Sequence, residues 1–242
     1  MPGLSRAVKP RARRSGLDGV VVVCGSVSTV YDCAQPDTRA AGLAAAAGAV
    51  RAGQLVVLPT DTVYGLGCDA FSALAVRGLL DAKGRGRDMP VPVLVGSWST
   101  VDGLVLGVPA QARQLIEAFW PGGLSLVLPH APSLAWDLGD TRGTVMLRMP
   151  LHPVALELLR DVGPMAVSSA NRSGQPPAVR VEQARAQLAE RVAVYLDGGS
   201  CGEPMASTII DLTSDQPVLL REGAVTAAEI GEVLGLTVPL AD

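Results

Sequence analysis

The stretch LPTDTVYGLGCDA, Leu58 to Ala70, decides how this chain is read. Before it, Gln54 to Leu58 has the apolar, β-branched character of a strand buried on both faces. At Pro59 that strand breaks into hydroxyls, a carboxylate and two glycines, a richer ending than the polar turn that normally closes a strand. Polar groups at the carboxyl end of a strand are where open sheets bind ligands. Gly65 and Gly67 are expected to let the chain turn tightly beneath Thr60 and Thr62. The competing reading is a strand-to-helix loop whose hydroxyls satisfy their own backbone, and on this stretch alone it is the better one.

Working outward, Asp37 is expected to N-cap an Ala-rich helix that Gly53 stops, and Ser72 to cap a second helix running to Lys83. Pro109 opens a third, ending near Trp120–Gly123. Helical patterns follow at Pro153–Asp161 and Val181–Ala189, and Thr226 with Glu229 forms the capping box of a closing helix. Extended patterns occupy Val91–Val95, Leu124–Leu128, Thr144–Met149, Met165–Val167, Val192–Asp197, Thr208–Leu212 and Val218–Leu220. Interleaved helices and strands without repeats predict an α+β fold. The expected architecture is a single domain at residues 30–242, a twisted sheet of mixed parallel and antiparallel strands covered by helices.

The chain has 242 residues and is 48% hydrophobic. No apolar run approaches the roughly 20 residues of a spanning helix, so no membrane role is expected. Residues 1–29 start with five basic side chains, followed by Val20–Cys24, too short for a signal-peptide core of about 7–15 residues. They are read as a disordered extension. The net charge of −3 and an aromatic content of 3% argue against a dedicated nucleic-acid surface. Cys24, Cys33, Cys68 and Cys201 lack CxxC spacing and His130 and His152 fit no metal motif, so no protein metal site and a reducing, cytoplasmic location are expected.

Three further clusters are polar. In Ala82–Pro90 (AKGRGRDMP), Lys83, Arg85 and Arg87 alternate with glycines, which suits close approach to a polyphosphate as well as a solvated basic turn. Val167–Pro177 (VSSANRSGQPP) packs small donors densely enough for an anion cradle, or for an ordinary surface turn. Arg148, Ser207, Thr208 and Arg221 fall at or near strand ends and could share one concave face. Neither GxSxG nor SxxK is present, which disfavours a serine nucleophile.

Taken in order, PTDTVYGLG, KGR, WPG, TVMLRMP, SSANRSG, STIIDLT and LLREG resemble the threonylcarbamoyl-AMP synthase family of YrdC-domain proteins, over about Tyr31 to Leu236. The chain resembles the short, single-domain type, with a concave substrate face. The resemblance implies an enzyme, a nucleotidyltransferase that makes threonylcarbamoyl-AMP and pyrophosphate from L-threonine, bicarbonate or CO2, and ATP. Its product goes to a complex that modifies tRNA next to the anticodon, and weak tRNA binding is conceivable on that footing. Mg2+ is implied as a companion of ATP without a dedicated site, with Asp61 the nearest candidate for a water-mediated contact.

By motif, Thr62, Arg148 and Ser207 match threonine-holding positions, and Arg85, Thr144, Ser169, Asn171 and Arg221 nucleotide-contacting ones. Lys83 and Arg85 carry the implied catalytic charge neutralisation. Many relatives have Pro, Asn and His where Gly86, Met89 and Leu94 stand here, a loss for which Arg87 or Asp88 could compensate. Ser168 and Glu222 likewise replace prolines. Two rival readings remain: a carbamoyl-adenylating carbamoyltransferase-like enzyme, and a non-catalytic RNA-binding module.

Overall fold

The period-two alternation at Val56, Val57 and Leu58 sets the architecture. Val56 and Leu58 pack into one apolar cluster and Val57 into another, as a central strand buried on both faces requires. The computed structural model describes residues 20–22, 28–202 and 205–241. Its strands are β1 (Val20–Val22), β2 (Thr29–Asp32), β3 (Val56–Leu58), β4 (Gly65–Asp69), β5 (Val93–Leu94) and β6 (Leu124–Pro129). They continue with β7 (Thr144–Arg148), β8 (Met165–Ser169), β9 (Val194–Asp197), β10 (Thr208–Asp211) and β11 (Val218–Arg221). They form one sheet in the order β1-β2-β9-β3-β4-β8-β5-β7-β6-β10-β11. Parallel pairs, β2/β9, β3/β9, β5/β7 and β6/β10, are interspersed among antiparallel ones, so the expected mixed single-domain sheet is what the chain forms.

Helices cover both faces. On one, α1 (Pro36–Arg51) and α4 (Pro153–Val162) bury Leu43, Val50, Val154 and Leu158 against Leu58, Met165 and Leu196. On the other, α2 (Ala73–Lys83), α3 (Ala110–Phe119), α5 (Val181–Leu188) and α6 (Ala227–Leu234) pack on Val57, Leu66, Leu126 and Leu147. Among the described residues no helix is long and apolar enough to cross a membrane.

The local signals mostly hold. The Ser72 hydroxyl accepts from the Ala75 N–H at the start of α2, and Thr226 and Glu229 form their capping box. Asp37, however, is not the cap of α1. The helix starts earlier, with Pro36 in its first turn and Gln35 at the N-cap, and Asp37 lies inside that turn, where a carboxylate complements the helix dipole. The reading of residues 1–29 as disordered also needs correction at Val20–Val22. These three β-branched residues pair antiparallel with β2, Val20 opposite Tyr31, and cover an edge that would otherwise be open. Residues 1–19 and 23–27 lie outside the described residues.

Gly65 and Gly67 also act differently from expectation. Both lie within β4, which forms a hairpin with β3, and neither has a positive φ. A Cβ on Gly65 would come within 2.6 Å of Val167 Cγ1, and one on Gly67 within 2.9 Å of Met165 Cε. Glycine is needed because the Val167 and Met165 side chains of the neighbouring antiparallel strand β8 lean over these positions. Gly65→Val is therefore expected to lower stability by about 1–3 kcal/mol through overpacking. Gly48→Ala in α1, where no atom lies within 4 Å of the added Cβ, should gain roughly 0.5–1 kcal/mol. Urea unfolding of both variants checks the contrast, and equal midpoints would refute it.

Candidate functional site

The glycine-lined hairpin carries the chain to a cavity of about 360 Å3 over the middle of the sheet. Seven strands or their ends and the end of α2 send side chains to it: Thr60 and Thr62 after β3, Arg85 after α2, Leu94 from β5, Ser125 from β6, Met146 and Arg148 from β7, Ser168 and Ser169 from β8, Ser207 before β10, and Arg221 from β11. Two larger grooves, of about 530 and 630 Å3, gather no comparable set of arginines and hydroxyls.

Arg148, 7% exposed, is held on three sides. Its Nε donates to the Gly122 carbonyl at 2.9 Å, Nη1 to Thr62 Oγ1 at 3.0 Å and Nη2 to Asp61 Oδ1 at 2.8 Å. One N–H on each terminal nitrogen is left for a ligand. Burial pulls the Arg148 pKa down, and the adjacent Asp61 opposes that shift. Asp61 also accepts from the Leu151 N–H, so it is first of all the counter-ion that makes a buried guanidinium tolerable. The Thr62 hydroxyl is fixed in turn by Thr60, whose Oγ1 lies 3.1 Å away and accepts from the Thr62 N–H.

On the opposite wall, Arg221 donates from Nε to the Ser207 carbonyl at 3.0 Å and from Nη2 to Ser207 Oγ at 3.1 Å, and Ser125 donates to the same oxygen. Burial lowers the Arg221 pKa, and the nearby charge of Arg148 lowers it further. Arg85 gives one hydrogen bond, Nη1 to Ser168 Oγ at 3.2 Å, while its buried Nε has no acceptor among the described residues. Of the three guanidinium groups, Arg148 is ion-paired with Asp61, which lies behind the cavity wall, while Arg85 and Arg221 make no salt bridge among the described residues. Among the described residues no carboxylate, histidine or cysteine lines the cavity, so its serine and threonine hydroxyls have no base in the lining to activate them, and its arginines suit it to holding multiply charged anions.

Of the residues singled out from sequence, Thr62, Arg85, Arg148, Ser169, Ser207 and Arg221 line this one cavity. Lys83, Asn171 and Thr144 do not. Lys83 is 3% exposed and its ammonium is already engaged by the Ser169 carbonyl, the Asn171 carbonyl at 2.8 Å and Asn171 Oδ1 at 3.2 Å. It pins the SSAN segment to the end of α2, and burial pushes its pKa down to about 8, with Arg85 adding to the shift. Asn171 completes the pin, giving its amide hydrogens to the Arg172 and Gln175 carbonyls. Thr144 starts β7 at the end away from Arg148 and donates to the Thr141 carbonyl.

Arg87 does not stand in for the missing Asn or His either. It turns outward to Asp137 and Asp140. Ser125 and the apolar lining of Met146 and Ile209 were not foreseen as site residues. The available signal was Ser125 as a lone polar residue in the apolar strand LSLVL, and Met146 two positions from Arg148 on the same strand face.

A mixed sheet covered by helices, carrying a cavity that gathers three arginines and several hydroxyls, is the architecture of an anion-binding α+β enzyme. The family model Sua5/YciO/YrdC, described as "Telomere recombination", matches residues 48–223, and the chain belongs to that family. A relative from Mycobacterium tuberculosis, named as a candidate threonylcarbamoyl-AMP synthase, is 64% identical over 210 residues, covering 87% of this chain and 97% of its own. The threonylcarbamoyl-AMP synthase of Bacillus subtilis is 41% identical over 196 residues, 80% of this chain and 56% of that protein. The structure of Pyrococcus abyssi Sua5 complexed with L-threonine superposes with a TM-score of 0.79 at 37% identity, covering 82% of this chain and 58% of that one.

Proposed function

We propose that this protein is an L-threonylcarbamoyladenylate synthase. The carrying observation is the convergence of Arg85, Arg148 and Arg221 with the hydroxyls of Thr62 and Ser207 in one cavity where, among the described residues, no base in the lining stands by to activate a hydroxyl. The relatives named above support the same reading. The nitrogen of L-threonine captures CO2 to form a carbamate; a carbamate oxygen then attacks the α-phosphorus of ATP, the bond to the bridging oxygen breaks, and pyrophosphate leaves with its electron pair. A carbamate is already anionic, so the protein's tasks are positioning and charge neutralisation.

In this reading Arg148 offers its two remaining N–H groups to the threonine carboxylate, beside Thr62 and Ser207. Arg85, Arg221 and Ser169 hold the nucleotide, while Lys83 and Asn171 act from beneath by fixing the loop that bears Ser169. The proposed role of Thr144 is limited to the edge of the nucleotide region. Among the described residues no three His, Cys, Asp or Glu side chains cluster to hold a metal, and Mg2+ is taken to arrive on the triphosphate. The product would pass in the cytoplasm to a tRNA-modifying transferase complex.

Pyrophosphate release by the purified protein tests the reading, with ATP present and L-threonine and bicarbonate added singly and together. Release that needs both is expected. Release indifferent to threonine, or supported instead by carbamoyl phosphate, would overturn it.

A further inference from the structure

Residues 86–92 run from the end of α2 to β5 along one side of the cavity, which Pro90 and Pro92 line. At one end Arg85 is fixed by its N–H donating to the Leu80 carbonyl at 3.0 Å, and at the other β5 pairs with β7 and β8. Its C-terminal end is also held, by Val91 in the apolar core and by the Pro92 carbonyl accepting from the Val167 N–H at 2.8 Å, whereas residues 86–90 have little of their own to hold them. Gly86 has no side chain, Pro90 and Pro92 have no N–H, and residues 86–89 are exposed.

The tethers come from outside, from the loop of residues 131–143. Arg87 grips Asp137 with both terminal nitrogens, at 2.9 and 2.7 Å, and its Nε lies 3.4 Å from Asp140 Oδ1. The Arg87 carbonyl accepts from the Asp140 N–H at 2.8 Å, and the Val91 N–H donates to the Leu138 carbonyl at 2.9 Å. The two backbones come so close that a Cβ on Gly139, whose φ is +103°, would lie 2.8 Å from the Arg87 carbonyl oxygen. A planar fork on a carboxylate fixes orientation as well as distance, which a single exposed ion pair does not.

We propose that Arg87 and Asp137 are positioning residues for the nucleotide side of the reaction proposed above, on which this inference rests. Their fork clamps residues 86–90 to the 131–143 loop and so holds the Pro90 end of the wall beside Arg85. Neither residue lines the cavity. Losing the clamp leaves every direct ligand contact and the main-chain bonds of Arg87, Val91 and Pro92 in place, and loosens the stretch 86–90 next to Arg85.

The test is a double-mutant cycle of Arg87→Ala, Asp137→Ala and the double variant, read as KM for ATP, KM for threonine and kcat in the pyrophosphate assay. Asp137→Asn serves as a volume-conserving second variant. Each single change should raise KM for ATP about three- to fivefold, the ceiling for a half-exposed pair, and leave KM for threonine within twofold. The double variant should be no worse than either single one. An unchanged KM for ATP in both single variants, or losses that multiply in the double, would overturn the proposal. A wild-type protein that releases no pyrophosphate refutes the proposed function instead, so the two failures are told apart.

Discussion

Arg148→Ala is expected to cut kcat/KM for threonine by about a hundredfold, the value of two charge-assisted hydrogen bonds to a carboxylate. The same change must also destabilise the protein. Arg148 is buried and ion-paired with Asp61, whose side chain is only 17% exposed. Removing one partner of such a pair costs about 3–5 kcal/mol when burial is complete, and somewhat less here because Asp61 keeps the Leu151 N–H. Two further variants separate binding from folding. Asp61→Asn combined with Arg148→Ala removes the stranded charge and should recover much of the stability without recovering threonine use. Arg148→Lys keeps a charge but loses the fork, and should remain poor in threonine saturation. Melting temperature and threonine titration, measured side by side, decide the matter. Wild-type threonine saturation in folded Arg148→Ala would remove this residue from the threonine site.

The positions that were legible in the sequence are those governed by neighbours a few residues away. Ser72 caps α2 because its hydroxyl reaches the Ala75 N–H three residues on, and LSLVL is a strand because its apolar run leaves no other economical way to be buried. The cavity arginines were singled out by the motifs they sit in, KGR, LRMP and LLREG, and the structure brings Arg85, Arg148 and Arg221 to one cavity. Long-range reasons were not legible. Gly65 and Gly67 look like turn residues until Val167, a hundred positions later, is seen to press on them. Arg87 looks like a third phosphate contact until Asp137, fifty residues on, takes its guanidinium. In both cases the residue type was informative and the partner that determines its use was invisible to a reading along the chain. The same applies to β2, whose four residues make a strand through β9 and β1 on either side and not through any strong pattern of their own.

Lys83 is the sharpest instance, because the cation is real but its direction differs from expectation. Lys83→Met removes the donor shared by two carbonyls and an amide oxygen, leaving buried acceptors unpaired at about 1–3 kcal/mol each. The SSAN segment should come loose, with Ser169 displaced from the cavity and kcat/KM for ATP down by about a hundredfold or more. A direct phosphate contact would give a similar loss, so pH is the discriminating variable. The folded pKa is about 8 against an ordinary 10.5. Between these values the unfolded chain holds more protons than the folded one, so the contribution of Lys83 to stability rises with pH across that window, by an amount on the order of 3 kcal/mol. Activity should move the other way. Above about pH 8 the neutral amine has two N–H groups for three acceptors, the pin slackens, and kcat/KM for ATP falls. The stability difference between wild type and Lys83→Met, followed by urea unfolding from pH 7 to 10, should therefore climb while wild-type kcat/KM for ATP declines. If kcat/KM stays level to pH 9.5, or the stability difference shrinks as pH rises, Lys83 is not a buried pin and the phosphate-contact reading returns.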